Sequence, residues 1–213
     1  MKLVDLKVTE FLDELASKSP APGGGSVAAL SGSNAAALVL MVGALTNKKK
    51  KFKALPEHVQ NDYNNTLEFF LAAKQTFTNL VDEDTNAFNE VMKAFKLPKE
   101  TEEEKDLRSK SIEIATIGCI KTPMNVASLS IDCLKKMKFI IENSNRNTIS
   151  DQGVAVLAFY TAFQGAIMNV KINLPGLSQK DLVNKYKSVI IELTHEVEQL
   201  KDRLLEEVNY LLN

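Results

Sequence analysis

The chain has 213 residues, 45% of them hydrophobic and 25% charged, which is enough for one globular domain with a real core and too apolar for a disordered chain. Its 26 basic and 27 acidic residues leave a net charge of −1. This excludes a global field that recruits nucleic acid, so any anion binding has to be local. The two cysteines, Cys119 and Cys133, suit reduced thiols rather than a disulfide framework, and the opening residues lack a signal-peptide core, so a cytoplasmic location is expected.

Apolar residues recur at spacings of three and four from end to end, and no run alternates. The chain therefore reads as all-α, a bundle of long helices in one domain over residues 1–213. A first helix is expected over Thr9–Lys18. Next comes Pro20-Ala21-Pro22-Gly23-Gly24-Gly25-Ser26, where three residues without a Cβ permit positive φ and close approach to the main chain. With Ser26 as the cap of a helix over Val27–Asn47, the first amides of that helix point into the glycine turn and form an anion or carbonyl site. The plainer alternative is a tight turn feeding a close-packed helix. Neither Gly-x-x-x-x-Gly-Lys-Ser/Thr nor Gly-x-Gly-x-x-Gly is present, which excludes the P-loop and dinucleotide readings.

The stretch Val27–Thr46 is long enough to cross a bilayer. Its Ser31, Ser33 and Asn34, and its reliance on alanine, point instead to a buried helix crowded by its neighbours, with no membrane partner. Lys48 to Lys51 read as a solvated helix end, or as a grip on an acidic ligand tail.

A third helix is expected to start after Pro56 and run through Phe95, about forty residues and roughly 60 Å, before Leu97-Pro98 stops it. Its apolar stripe is Phe77, Val81, Phe88, Val91 and Phe95, and the core slot between Val81 and Phe88 holds Asp84. Partial burial would raise the pKa of that carboxyl and keep a proton available near pH 7, as a proton donor requires. The alternative is a structural carboxylate, paired or capping. Asp82, two residues away, faces elsewhere.

Thr101-x-x-Glu104 resembles a capping box for a fourth helix reaching Leu134–Met137, with Pro123 expected to kink it. The asparagine-rich Lys138–Ser150 reads as a loop. Ser150 or Asp151 would cap a fifth helix ending near Asn169, with a further loop at Asn173–Gly176. Ser178 would open the last helix. Its stripe Leu182, Tyr186, Ile190, Leu193, Val197, Leu200, Leu204, Val208 and Leu211 calls for a partner helix along its whole length and predicts homodimer contacts.

The other polar clusters beside apolar sequence are Asp151 and Asn169-Val-Lys-Ile-Asn173, read either as caps and loop bonds or as substrate contacts, with Lys171 available for a carboxylate. His58 and His195 sit in polar helical surroundings, and with two isolated cysteines no spacing suits a metal. No Gly-x-Ser-x-Gly elbow occurs. The expected chemistry is acid–base, without metal, permanent cofactor or covalent intermediate.

Several segments, in order, carry one resemblance: Pro20-x-Pro22-Gly-Gly-Gly-Ser26-Val-Ala-Ala-Leu, Met41-Val42 with Leu45-Thr46, Val81-Asp-Glu-Asp84-Thr-Asn-Ala-Phe88, Leu97-Pro98-Lys99 with Glu103-Glu104-Lys105 and Arg108, Ser150-Asp151-Gln-Gly-Val-Ala155, and Asn169-Val-Lys-Ile-Asn173-Leu174. Together they resemble the cyclodeaminase/methenyltetrahydrofolate cyclohydrolase family. The resemblance implies an all-α fold that dimerises through long helices, and a tetrahydrofolate derivative, polyglutamylated or not, as substrate. It places the catalytic aspartate at Asp84 and folate contacts at Gly23, Gly24, Gly25 and Ser26, with Asp151, Asn169 and Asn173 as further contacts. It offers Lys48–Lys51 to the glutamate tail.

The expected reaction is closure of 5-formiminotetrahydrofolate to the 5,10-methenyl compound with loss of ammonia. The alternative is hydrolysis of the methenyl compound, and from a different class, a non-catalytic helical dimer or binding module. Two features depart from the family: no formiminotransferase half is present, and Ser31, Ser33 and Asn34 are unusually polar for the second helix.

Overall fold

The computed structural model describes residues 2–213, and among these there are helices but no strand. The α-helices are α1 (Val8–Leu15), α2 (Gly24–Asn47), α3 (Lys50–Lys53), α4 (Glu57–Phe95), α5 (Glu102–Asn143), α6 (Ile149–Asn173) and α7 (Lys180–Leu212), with 3-10 turns at Leu3–Asp5, Arg146–Thr148 and Leu174–Gly176. Helices α2, α4, α5 and α6 pack as an antiparallel four-helix bundle in one domain, and α7 lies along α6 and α5.

Small residues set the spacing around α2. Its buried face consists of Gly25, Ser26, Ala28, Ala29, Gly32, Ala35, Ala36, Val39, Val42, Gly43 and Thr46. A Cβ on Gly32 would lie 2.6 Å from the Phe77 ring, and one on Gly43 would meet Leu67. Gly25 faces Asp84 in the same way, so α2 and α4 run antiparallel in close register. On its other flank α2 meets α6, where Gly165 faces Ala28 and Gly24 faces Asn169. Bulk is supplied by the neighbours: Phe159 of α6 lies 6.0 Å from Phe70 and 6.2 Å from Phe77, all three fully buried. Each such ring stabilises the fold by about 1.5–3 kcal/mol through burial alone.

Helix α5 starts where its capping box places it, with Glu104 N donating to Thr101 Oγ1 at 3.2 Å and Thr101 N donating to Glu104 Oε2 at 3.1 Å. It passes Pro123 as one continuous helix and ends at Asn143, so the expected loop from Lys138 shrinks to a short connection. Burial explains the extension: Ile140 and Ile141 belong to the core, and their packing overrides the weak helix preference of the asparagines.

Other boundaries also shift. Helix α1 begins one residue earlier than expected and ends at Leu15, short of Lys18. Helix α6 runs from Ile149 to Asn173, so Asp151 lies in its first turn rather than capping it. Ser178 does not open α7. Its hydroxyl donates to Glu113 at 2.6 Å, and α7 starts at Lys180.

The stripe of α7 finds its cover within its own chain. Ile190, Val197, Leu204 and Val208 are buried, and Leu182, Tyr186, Leu193, Leu200 and Leu211 pack against the core. By length and composition alone Gly24–Asn47, Glu102–Asn143 and Arg146–Gly176 are long and apolar enough to cross a membrane, yet about half of each apolar stretch is buried inside the bundle.

Candidate active site

Asp84 is where α4 meets the start of α2. The N-cap of α2 is Gly23, and Ser26 lies inside the first turn, fully buried, so its side chain is free to reach across instead of capping. The Ser26 hydroxyl lies 3.0 Å from Val81 O, 3.1 Å from Asp84 Oδ2 and 3.2 Å from Thr85 Oγ1. None of the glycines adopts positive φ. Their reason is proximity: a Cβ on Gly25 would lie 2.6 Å from Asp84 Oδ2 and closer still to Oδ1, while one on Gly24 would lie 3.3 Å from Asn169 Nδ2. Gly23 has room, its nearest neighbour being Pro20 O at 3.9 Å.

Burial raises the Asp84 pKa above the usual carboxylate value, against the opposing pull of the Ser26 hydroxyl and amide. The amides at the start of α2 are those a helix leaves without internal partners, so the carboxyl faces a positive helix end. From α5, Cys119 completes the surroundings. Its thiol is pushed up to about 11 by desolvation and by the charge of Asp84. The arrangement holds a proton on a carboxyl of adjustable charge, as general acid–base chemistry requires.

From α6, Asn169 Nδ2 donates to Gly165 O at 2.8 Å and Asn173 Nδ2 donates to Asn169 O at 2.7 Å, leaving the carbonyl oxygens of both side chains available. Asn169 is brought to Gly24, and Asn173 lies one turn beyond it at the same end of the bundle. Lys171 is exposed. Asp151 is not part of this cluster, since it lies at the opposite end of α6, about 27 Å from Asn169 along the helix. Lys48–Lys51 likewise follow the far end of α2, roughly 35 Å from Gly25, where Lys49, Lys50 and Lys51 border a recess with Arg146.

Two recesses are lined by neighbours of Asp84 on α4, though not by Asp84 itself. One, of about 520 Å³, lies between α4 and α5 beside Ala87 and Gly118. The other, of about 850 Å³, is lined by Thr85 and by the N-terminal segment. The larger apolar hollow of about 1060 Å³ is between the end of α6 and α7, and it includes Lys171 but no other candidate residue. Beyond Asp84 the end of α4 and the start of α5 run past α2 as a hairpin. Arg108 Nη2 donates to Phe95 O at 3.2 Å and secures its tip, and Phe95, Leu107 and Ile114 remain exposed. Among the described residues no group of three His, Cys, Asp or Glu side chains is placed to hold a metal. Sequence reasoning missed Thr85, which nothing in a polar helix face distinguishes from a solvated threonine.

The family described as formiminotransferase-cyclodeaminase matches residues 7–192. The methenyltetrahydrofolate cyclohydrolase of Methylorubrum extorquens is 36% identical over 97% of this chain and 97% of its own length. The formimidoyltransferase-cyclodeaminase of Rattus norvegicus is 32% identical over 91% of this chain, which spans 35% of that longer protein. A crystal structure of formiminotetrahydrofolate cyclodeaminase from Thermotoga maritima superposes with a TM-score of 0.85 at 27% identity, covering 98% of both chains. With the helical bundle and the carboxyl at the start of α2 in place, the chain belongs to the formiminotransferase-cyclodeaminase family.

Proposed function

We propose that this chain hydrolyses 5,10-methenyltetrahydrofolate to the 10-formyl compound, with Asp84 as the acid–base group. The observation that carries the acid–base role is the half-buried Asp84 carboxyl, raised in pKa and fixed between Gly25 and Ser26. In its ionised form Asp84 takes a proton from the water that adds to the methenyl carbon. In its protonated form it returns that proton to N5 as the carbon–N5 bond breaks, and the hydroxyl proton of the adduct passes to the carboxylate as the formyl C=O forms, so each methenyl cation hydrolysed leaves one proton for Asp84 to release. Asn169 and Asn173 present carbonyl oxygens toward the pterin side, and the first amides of α2 face developing negative charge. The cyclohydrolase name of a relative similar over its full length supports placing this reaction first.

The second reading is the one expected from sequence, closure of the formimino compound with loss of ammonia. It is favoured by the cyclodeaminase from Thermotoga maritima, whose fold matches over 98% of both chains. There N10 attacks the formimino carbon and passes its own proton to the amine nitrogen, and protonated Asp84 supplies the second proton with which ammonia departs. Following the methenyl chromophore separates the two. Decay above the uncatalysed rate supports hydrolysis. Appearance from 5-formiminotetrahydrofolate, with ammonia release, supports closure, and no acceleration of either ends both readings.

The working form we propose is a cytoplasmic homodimer. Val154, Leu157, Met168 and Ile172 leave an apolar stripe exposed along α6, which a second copy of the chain would cover. Sedimentation showing a monomer at micromolar concentration would refute the dimer.

A further inference from the structure

Thr85 is the one polar side chain beside Asp84 to which the proposed reaction assigns no role. Elsewhere in the helices Thr46, Thr66, Thr76, Thr78, Thr116 and Thr161 donate to the carbonyl four residues back, the usual local bond for a helical hydroxyl. For Thr85 that carbonyl is Val81 O, to which it makes no bond; Val81 O lies 3.0 Å from Ser26 Oγ and is the alternative to Asp84 as acceptor of the one Ser26 hydrogen. The Thr85 hydroxyl is turned to Ser26 Oγ at 3.2 Å, and Ser26 Oγ lies 3.1 Å from Asp84 Oδ2. When Asp84 is ionised and Ser26 donates to it, the only group available to donate to Ser26 along this line is Thr85. When Asp84 is protonated, the chain of donors reverses.

The far side of Thr85 opens on the recess of about 850 Å³, which is walled by Asp5, Glu10, Asp13, Glu14 and Asp82 with Lys2. Asp82 fixes that wall by accepting from Leu3 N at 2.6 Å. Such a wall repels a polyanionic folate while holding water and exchangeable protons. Asp84 also faces Gly25 and, from α5, the Cys119 thiol as the other titratable neighbour.

We propose that Thr85 and Ser26 form a two-hydroxyl proton relay that connects Asp84 to the acidic N-terminal recess, so that the carboxyl releases its proton there during turnover. The relay rests on the acid–base role of Asp84. In each transfer Asp84 Oδ2 gives its proton to Ser26 Oγ, Ser26 passes its own to Thr85 Oγ1, and Thr85 passes its own to a water in the recess, which carries it to bulk solvent as hydronium. One proton moves, and both hydroxyls end neutral. Thr85 acts through Ser26 and is a positioning residue in this sense.

The test is turnover of 5,10-methenyltetrahydrofolate by the purified full chain carrying Thr85→Val, Thr85→Ala or Thr85→Ser, each checked for fold by circular dichroism. The valine and alanine variants are expected to lose about tenfold in kcat with KM within about twofold, and to regain rate as imidazole is added as a proton carrier. The serine variant should stay within about twofold of the parent, which no merely structural role predicts alongside imidazole rescue. Wild-type kcat without imidazole dependence in a folded valine or alanine variant overturns the relay while leaving the role of Asp84 intact. Wild-type turnover by Asp84→Asn overturns both.

Discussion

Gly25→Ala adds one methyl group at the tightest point of the site. Side-chain β-carbons keep at least 3.0 Å from neighbouring heavy atoms, whereas this one would lie 2.6 Å from Asp84 Oδ2 and nearer still to Oδ1. The carboxyl therefore has to retreat by several tenths of an ångström or swing away, and either movement lengthens its 3.1 Å bond from Ser26. Losing that bond costs about 1–3 kcal/mol, partly offset by the roughly 1 kcal/mol that alanine gains over glycine in a helix. Stability should thus change by no more than about 2 kcal/mol, while displacement of the reacting group lowers kcat about a hundredfold. The comparison series is Gly24→Ala, which presses on Asn169 at 3.3 Å, and Gly23→Ala, with its nearest neighbour at 3.9 Å. Initial rates on the methenyl chromophore and thermal melts should rank the losses Gly25 over Gly24 over Gly23. Equal losses at all three, or full activity for Gly25→Ala, would refute the proximity argument.

Further outcomes follow from packing and charge. Because the folded-state pKa of Asp84 is raised, its ionisation works against folding, and the stability it contributes below the unfolded value is lost as pH rises through the folded one. Asp84→Asn should therefore melt at or above the parent temperature at pH 8, with the difference closing by about pH 4; a variant less stable at pH 8 than at pH 4, relative to the parent, contradicts this. Gly32→Ala forces a methyl to within 2.6 Å of the Phe77 ring and should destabilise by about 1–3 kcal/mol in denaturant titrations, an unchanged midpoint counting against the packing. Cys119, pushed up to about 11, and the fully buried Cys133 should alkylate at least about a hundredfold more slowly in the native protein than in denaturant, and equal rates would contradict the burial.

The helical periodicity was legible because long amphipathic helices repeat one signal many times. Asp84 was legible for the same reason, as a single carboxylate in a stripe of apolar residues. Ser26 was noticed with the wrong partner: a serine after glycines reads equally as a cap or as a buried donor, and only the approach of α4 decides between them. Of the two readings of the glycines, positive φ and close approach to the main chain, the structure bears out the second, and the approaching groups, a carboxylate and an amide from other helices, are what the local sequence does not identify. Lys48–Lys51 and Asp151 were grouped with the site although antiparallel packing puts both at the other end of the bundle. The lengths of α2 and α6 already contain that information, since each helix carries its two termini some 35 Å apart. The supposed loop from Lys138 was helical because Ile140 and Ile141 are needed in the core.

The central claim is that the Asp84 carboxyl carries the proton. The measurement that tests it most directly is kcat and KM for 5,10-methenyltetrahydrofolate and 5-formiminotetrahydrofolate with Asp84→Asn beside the parent, folding verified on the same samples. A fall in kcat of about a hundredfold or more with KM little changed is the predicted result. A folded Asp84→Asn protein that turns over either substrate at the parental rate would contradict the account.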